Sequence, residues 1–274
     1  FISAAPEKMA SARQFDGFLY ISASHNPIGH NGIKFGLHDG GVIPGSEAAK
    51  LSALYKELCS QDNSALKAVE LFNNSLETDV ELIYDKVSFY KEKAIEYYKN
   101  FTQGVISSET DEFNIAAFMA SLKKSAQKKK LTILADMNGS ARTLSIDKDL
   151  FTSLGFGFIS FNDKPREIMH AIIPEPKNLT HCARKMEELH SQGETSVVLG
   201  YMPDCDGDRG NIVYWNEKTQ KAEVLKAQEV FALSVLSEVA YNAYKNGAQT
   251  PEALKKIRMA VSVNDPTSMR IEDI

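Results

Sequence analysis

Two short stretches carry residues whose types and spacing suit phosphate chemistry. The first, SASHNPIGHNGIK at 22–34, sets Ser24, His25 and Asn26 where an apolar run stops, with Asn31 and Lys34 close behind. Ser24 and His25 are adjacent, so in extended backbone they face opposite ways and cannot act as nucleophile and base for each other. The flanking Ser22, Ala23, Asn26 and Pro27 do not form the G-x-S-x-G elbow of a serine hydrolase. Covalent phosphate carriage is another use of a serine. A phosphoserine at 24 would place about 1.5 to 2 negative charges on a loop tip, with His25, Asn26 and Lys34 as donors around it. The plain alternative is an Asn-Pro turn with a structural, hydrogen-bonded histidine.

The second stretch is YMPDCDGDRGN at 201–211, again at the end of an apolar run. Asp204, Asp206 and Asp208 alternate, so an extended or gently curved loop projects their carboxylates to one side. Like charges held together repel, and a hard divalent cation is the simplest remedy. Gly207 allows a tight curl, and Arg209 adds a planar fork suited to phosphate. A calcium loop starting at Asp204 would need Gly at its sixth position and Glu at its twelfth, where Arg209 and Trp215 stand, so that reading fails. All-oxygen donors favour magnesium over zinc, and alternation leaves Cys205 pointing away as a bystander. A solvated acidic turn is the plain alternative here. One magnesium ion shared by a phosphoserine and the three carboxylates would resolve the charge problem of both loops.

Several elements must position these loops. FLYISA at 18–23 reads as a strand preceded by a helix at 7–14, and helices follow at about 46–59, 79–99 and 111–127. LTILA at 131–135 reads as a buried strand, then a helix at 145–154, a strand at 156–161, a helix at 180–191, strands at 196–201 and 211–215, and a helix at 226–245. That alternation predicts the α/β class, as two consecutive domains, each with a mixed, mainly parallel sheet flanked by helices. A composition shift at Thr102 to Thr110 suggests the boundary, giving domains at 1–105 and 106–256. Residues 257–274 open a further strand and turn that end before a core could form. With no initiating Met, the chain is expected to be a piece of something longer.

Bulk properties exclude several classes. With 31 Lys+Arg against 36 Asp+Glu the net charge is -5, so no basic field draws nucleic acid or anionic lipid. The densest basic run, Lys128 to Lys130 with Lys123 and Lys124 upstream, reads as the solvated end of a helix. No apolar stretch approaches the roughly 18 to 20 residues that cross a bilayer, and the first residues given lack the basic segment and apolar core of a signal peptide. Three scattered cysteines, Cys59, Cys182 and Cys205, point to a reducing compartment, and a cytoplasmic location is expected.

Taken together, the two loops resemble those of the α-D-phosphohexomutases, which include phosphomannomutases, phosphoglucomutases and phosphoglucosamine mutases. SASHNPIGHNGIK is similar to that family's phosphoserine loop and DCDGDR to its metal loop, while PEPKNL at 174–179 is a weaker match to the segment upstream of the metal loop. The resemblance implies Ser24 as phosphoserine and metal ligand, Asp204, Asp206 and Asp208 as the other ligands of one Mg2+, and His25, Lys34 and Arg209 as catalytic residues. Asn26, Asn31 and Arg209 would bind the substrate or its phosphate. It also implies a hexose phosphate substrate, with a hexose 1,6-bisphosphate as intermediate and activator, and further domains of the same polypeptide as partners. The family's sugar-binding and phosphate-binding motifs are not found, so this chain alone is expected to be inactive. Phosphomannomutase or phosphoglucomutase activity is preferred to phosphoglucosamine mutase. A non-catalytic binder of metal and sugar phosphate, or a metal-dependent phosphatase, stands as the competing class.

Overall fold

In the computed structural model of the chain, the described residues are 16–22, 26, 29–74, 77–171, 173, 176–207, 211–247, 250, 252 and 255. The helix expected at 7–14 and the strand expected at 257–263 lie outside them. The chain divides into two compact units: of the described residues, 16–22 and 29–121 belong to the first, and those from Leu122 onward, together with Asn26, to the second.

In the first unit the apolar run forms β1 (Gly17–Ile21), which pairs antiparallel with β2 (Ile33–Leu37), Ile21 opposite Ile33 and Gly17 opposite Leu37. The expected mainly parallel arrangement does not hold for these two strands. Their connection at 22–32 contains no crossover helix, which a parallel pair requires. Gly36 is buried because the Phe18 ring lies where a side chain would stand. Four helices follow: α1 (Gly45–Ser60), α2 (Ser64–Asn73), α3 (Glu77–Ser107) and α4 (Glu112–Lys129), the last of which contains the division between units. The stretch read as a composition shift holds the end of α3 and the turn into α4. Lys123, Lys124 and Lys128 to Lys130 are exposed around the C-terminal end of α4, where cations complement the helix dipole, as the sequence suggested.

The second unit alternates as expected: β3 (Thr132–Asp136), a 3-10 turn at Ala141–Leu144, α5 (Asp147–Ser153), β4 (Gly157–Phe161), α6 (Pro176–Ser191) and β5 (Val197–Tyr201). Then come β6 (Ile212–Asn216), β7 (Lys221–Val224) and α7 (Ala227–Lys245). The sheet order is β4-β3-β5-β6-β7. Strands joined through helices, β4, β3 and β5, run parallel, whereas β5, β6 and β7 are joined by loops and run antiparallel. The fold is thus α/β, with a mixed sheet whose central strands are parallel and flanked by helices.

Leu179, Cys182, Met186 and Leu189, spaced by three and four, form the buried stripe of α6 and pack on Leu134, Val197, Met202 and Val213 of the sheet. Gly200 permits this close approach, since a Cβ there would stand 2.8 Å from the Cys182 Sγ. Among the described residues no helix is long and apolar enough to cross a membrane.

Candidate functional site

In an open α/β sheet, ligands gather beyond the carboxyl ends of the parallel strands, at the point where successive crossovers leave in opposite directions. Here β3 connects through α5 to β4 on one side, and β4 then returns through α6 to β5 on the other. The switch point therefore lies between the ends of β3 and β5. The loops that leave it there are 137–145 and 202–211. They are tied together by the Ala141 N–H, which donates to the Cys205 carbonyl at 3.2 Å. The acidic loop found in the sequence thus leaves the sheet at this switch point.

Within that loop Asp204 is fully buried, and its Oδ1 accepts from the Gly207 N–H at 2.9 Å. Gly207 has φ +75, the left-handed conformation that produces the expected curl. Asp206 and Cys205 are half-buried. Burial pushes the Cys205 thiol pKa up, and the charges of Asp204 and Asp206 push it further, so the loop carries a concentrated negative field. Hard carboxylate oxygens in such a field suit Mg2+. Asp208 and Arg209 lie outside the described residues, and among the described residues no group of three His, Cys, Asp or Glu side chains is placed to hold a metal ion.

Opposite the acidic loop, Arg142 makes a forked ion pair with Asp147, Nε to Oδ2 at 2.9 Å and the terminal nitrogen to Oδ1 at 2.6 Å. The Tyr201 hydroxyl donates to the same Asp147 Oδ1 at 2.9 Å. Burial raises the tyrosine pKa, and the Asp147 charge and hydrogen bond raise it further.

A second cluster sits at the end of β3. Asp136 is fully buried, with Oδ1 accepting from Asn162 Nδ2 at 2.9 Å and Oδ2 2.9 Å from His170 Nε2. His170 Nδ1 is 3.2 Å from the Ala171 carbonyl, so both ring nitrogens face acceptors. Burial alone would lower the His170 pKa, but Asp136 and the Ala171 carbonyl outweigh it and leave the value raised. The His181 ring stacks on His170 with centroids 4.3 Å apart. Burial lowers the His181 pKa, and the neighbouring His170 charge lowers it further. Asn138 secures the same segment: its Oδ1 accepts from the Met169 and His170 N–H groups, and its Nδ2 donates to the His170 carbonyl. Neither cluster was visible to motif reasoning, because its members come from separate elements.

Ser24 and His25 lie outside the described residues. Asn26 and Asn31 are exposed on the β1–β2 connection, whose base is closed by the Ser22 N–H donating to the Gly32 carbonyl at 3.0 Å. Lys34 is exposed on β2, opposite Tyr20, with its Nζ 5.7 Å from that ring's centroid. Of PEPKNL, residues 176–179 begin α6, and Asn178 is buried there with its Nδ2 donating to the Ile173 carbonyl at 2.5 Å.

Comparison with known proteins finds a family match over the N-terminal segment alone. Residues 3–62 match the model of phosphoglucomutase/phosphomannomutase, alpha/beta/alpha domain I. No curated protein sequence matches the chain. Among solved structures, a phosphoglucomutase/phosphomannomutase family protein from Burkholderia thailandensis is 16% identical, with TM-score 0.48, over 84% of this chain and 39% of its own. A candidate phosphomannomutase from Thermus thermophilus is 18% identical, with TM-score 0.42, over 85% of this chain and 42% of its own. The chain therefore spans about two fifths of either structure. The matched segment, residues 3–62, contains the serine loop and β1–β2 and is similar to domain I of the phosphoglucomutases and phosphomannomutases.

Proposed function

We propose that the chain serves a phosphohexomutase reaction, with the serine loop at 22–34 as its phosphoserine loop and the acidic loop at 204–209 as its metal loop. The observation that carries this reading is the domain I match over 3–62, which spans Ser24, Lys34 and the residues between them. The acidic loop at the switch point of the second sheet supports it. Phosphoryl transfer depends mainly on positioning and charge neutralisation, and two such loops supply those requirements.

In this reading the Ser24 phosphoryl group passes to a free hydroxyl of a hexose monophosphate. The P–O bond to Ser24 breaks, a new one forms to the sugar oxygen, and the hydroxyl proton is taken up by a base. The resulting bisphosphate returns its other phosphoryl group to Ser24. His25 and Lys34 serve as the proton-transfer and polarising groups, Arg209 as a phosphate fork, and Asn26 and Asn31 as neutral donors to phosphate or sugar. Asp204, Asp206, Asp208 and the Ser24 phosphate would hold Mg2+, whose chemistry there is neutralisation of charge that develops on the transferring group. Glucose and mannose phosphates are the first sugars to try.

Intact mass of the chain tests this reading, before and after incubation with a hexose 1,6-bisphosphate and Mg2+. A phosphate-sized increment present in the parent and absent in Ser24→Ala is expected. A parent that never gains the increment would overturn the phosphoserine assignment and favour a binding module that uses the same loops.

A further inference from the structure

Gly207 is the point at which the acidic loop turns, and a Cβ built there would run into the stem of Arg142, with Cγ 2.6 Å away. The Arg142 stem is therefore the surface on which the turn rests. That stem is held from its far end. The guanidinium forms two hydrogen bonds to Asp147, whose side chain is 4% exposed, and Tyr201 donates a third to the same carboxylate. Tyr201 ends β5, three residues before Asp204, and Asp147 begins α5, so the ion pair braces the acidic loop against both elements. The Ala141 N–H to Cys205 carbonyl bond joins the backbone next to Arg142 to the same loop. A forked Arg–carboxylate pair has one preferred geometry, which makes it a rigid brace rather than a loose counter-charge.

We propose that Arg142 is a positioning residue for the acidic loop: fixed by Asp147 and Tyr201, its stem sets the path of the backbone at Gly207 and so the readiness of Asp204 and Asp206 to hold a divalent cation. This rests on the reading of that loop as a metal site. Removal of residues that orient metal ligands typically weakens metal binding by about 10- to 100-fold, and Arg142→Ala is expected near the lower end, about tenfold.

The test is titration of the 274-residue chain with Mn2+, followed by the electron paramagnetic resonance of free and bound ion, for the parent, Arg142→Ala, Gly207→Ala and the double variant. Folding of each is checked through its single tryptophan, Trp215. The expected result is weaker binding and an altered bound-ion spectrum in Arg142→Ala, with the double variant no weaker than Gly207→Ala alone, because the stem that the added methyl would strike is gone. Should Arg142→Ala not fold, Arg142→Lys carries the test; it keeps the stem and charge but loses the fork, and is expected to bind a few times more weakly with a changed spectrum. Parent-like affinity and spectrum in the folded Arg142 variant, or strictly additive losses in the double variant, would overturn the proposal and leave the metal site standing. A parent that binds no Mn2+ would overturn both.

Discussion

Replacement of His170 by alanine isolates one buried interaction whose worth depends on pH. The His170 side chain is 6% exposed and Asp136 is fully buried, with 2.9 Å between His170 Nε2 and Asp136 Oδ2. In His170→Ala the carboxylate keeps the Asn162 donor but loses its facing cation. Removing one partner of a buried pair costs about 3–5 kcal/mol. At about 2–4 °C per kcal/mol for chains of comparable size, the midpoint of thermal unfolding falls by roughly 6–20 °C. Because the folded pKa of His170 is raised above its ordinary value, the ionic part of this stabilisation is complete below about pH 6.5 and is lost as pH rises through the folded value. What remains at alkaline pH is a neutral hydrogen bond of about 0.5–1.5 kcal/mol. The assay is urea unfolding of parent and variant at pH 6 and pH 9, read from Trp215, which lies on β6 of the same sheet. Within each pH the difference between the two proteins cancels charge effects elsewhere in the chain. An equal cost at both pH values, or a cost under about 1 kcal/mol at pH 6, would refute the ionic reading, since a neutral hydrogen bond suffices for either.

Two further outcomes are expected. Gly200→Ala brings a methyl to 2.8 Å from Cys182 Sγ and 3.2 Å from Met186 Cε, and a destabilisation of about 1–3 kcal/mol should appear in the same urea assay. The three thiols should separate in a time course with a disulfide reagent at pH 8: exposed Cys59 first, Cys205 later, and Cys182, whose thiol burial pushes up to about 12, only upon unfolding. Mass mapping of the labelled sites reads that order, and early labelling of Cys182 would show that α6 leaves the sheet more readily than its packing implies.

Legibility in the sequence followed the locality of each signal. LTILA and SVVLGY announced β3 and β5 as apolar runs of strand length, and the helix read at 180–191 falls within α6. β2 escaped notice because Lys34 and Gly36 interrupt IKFGL, and β7 because KAEV has little apolar character and gains its place from pairing with β6. The antiparallel turn from β5 to β7 follows from connections too short for a helix, a geometric fact that apolar periodicity does not carry. The acidic loop was legible because its carboxylates lie within a few residues of one another. The Arg142, Asp147 and Tyr201 brace was not, because Tyr201 stands 54 residues from its partner, and likewise His170 stands 34 residues from Asp136.

The central place of β3 has a consequence for synthesis on the ribosome. Its two neighbours, β4 and β5, begin at Gly157 and Val197, whereas β3 itself begins at Thr132. At roughly 5–20 residues per second, the second edge of β3 stays open for about 3–13 s after the strand is made. During that interval Ile133, Leu134 and Ala135, all buried in the finished sheet, offer an apolar strand with an unfilled ladder to any other nascent chain. The β5–β6–β7 meander needs only local turns and can assemble as soon as it is translated. Arrival of β5 thus closes the vulnerable edge of β3 and starts the meander in one event, so pauses in translation shortly before Val197 are where co-translational aggregation of this domain should concentrate.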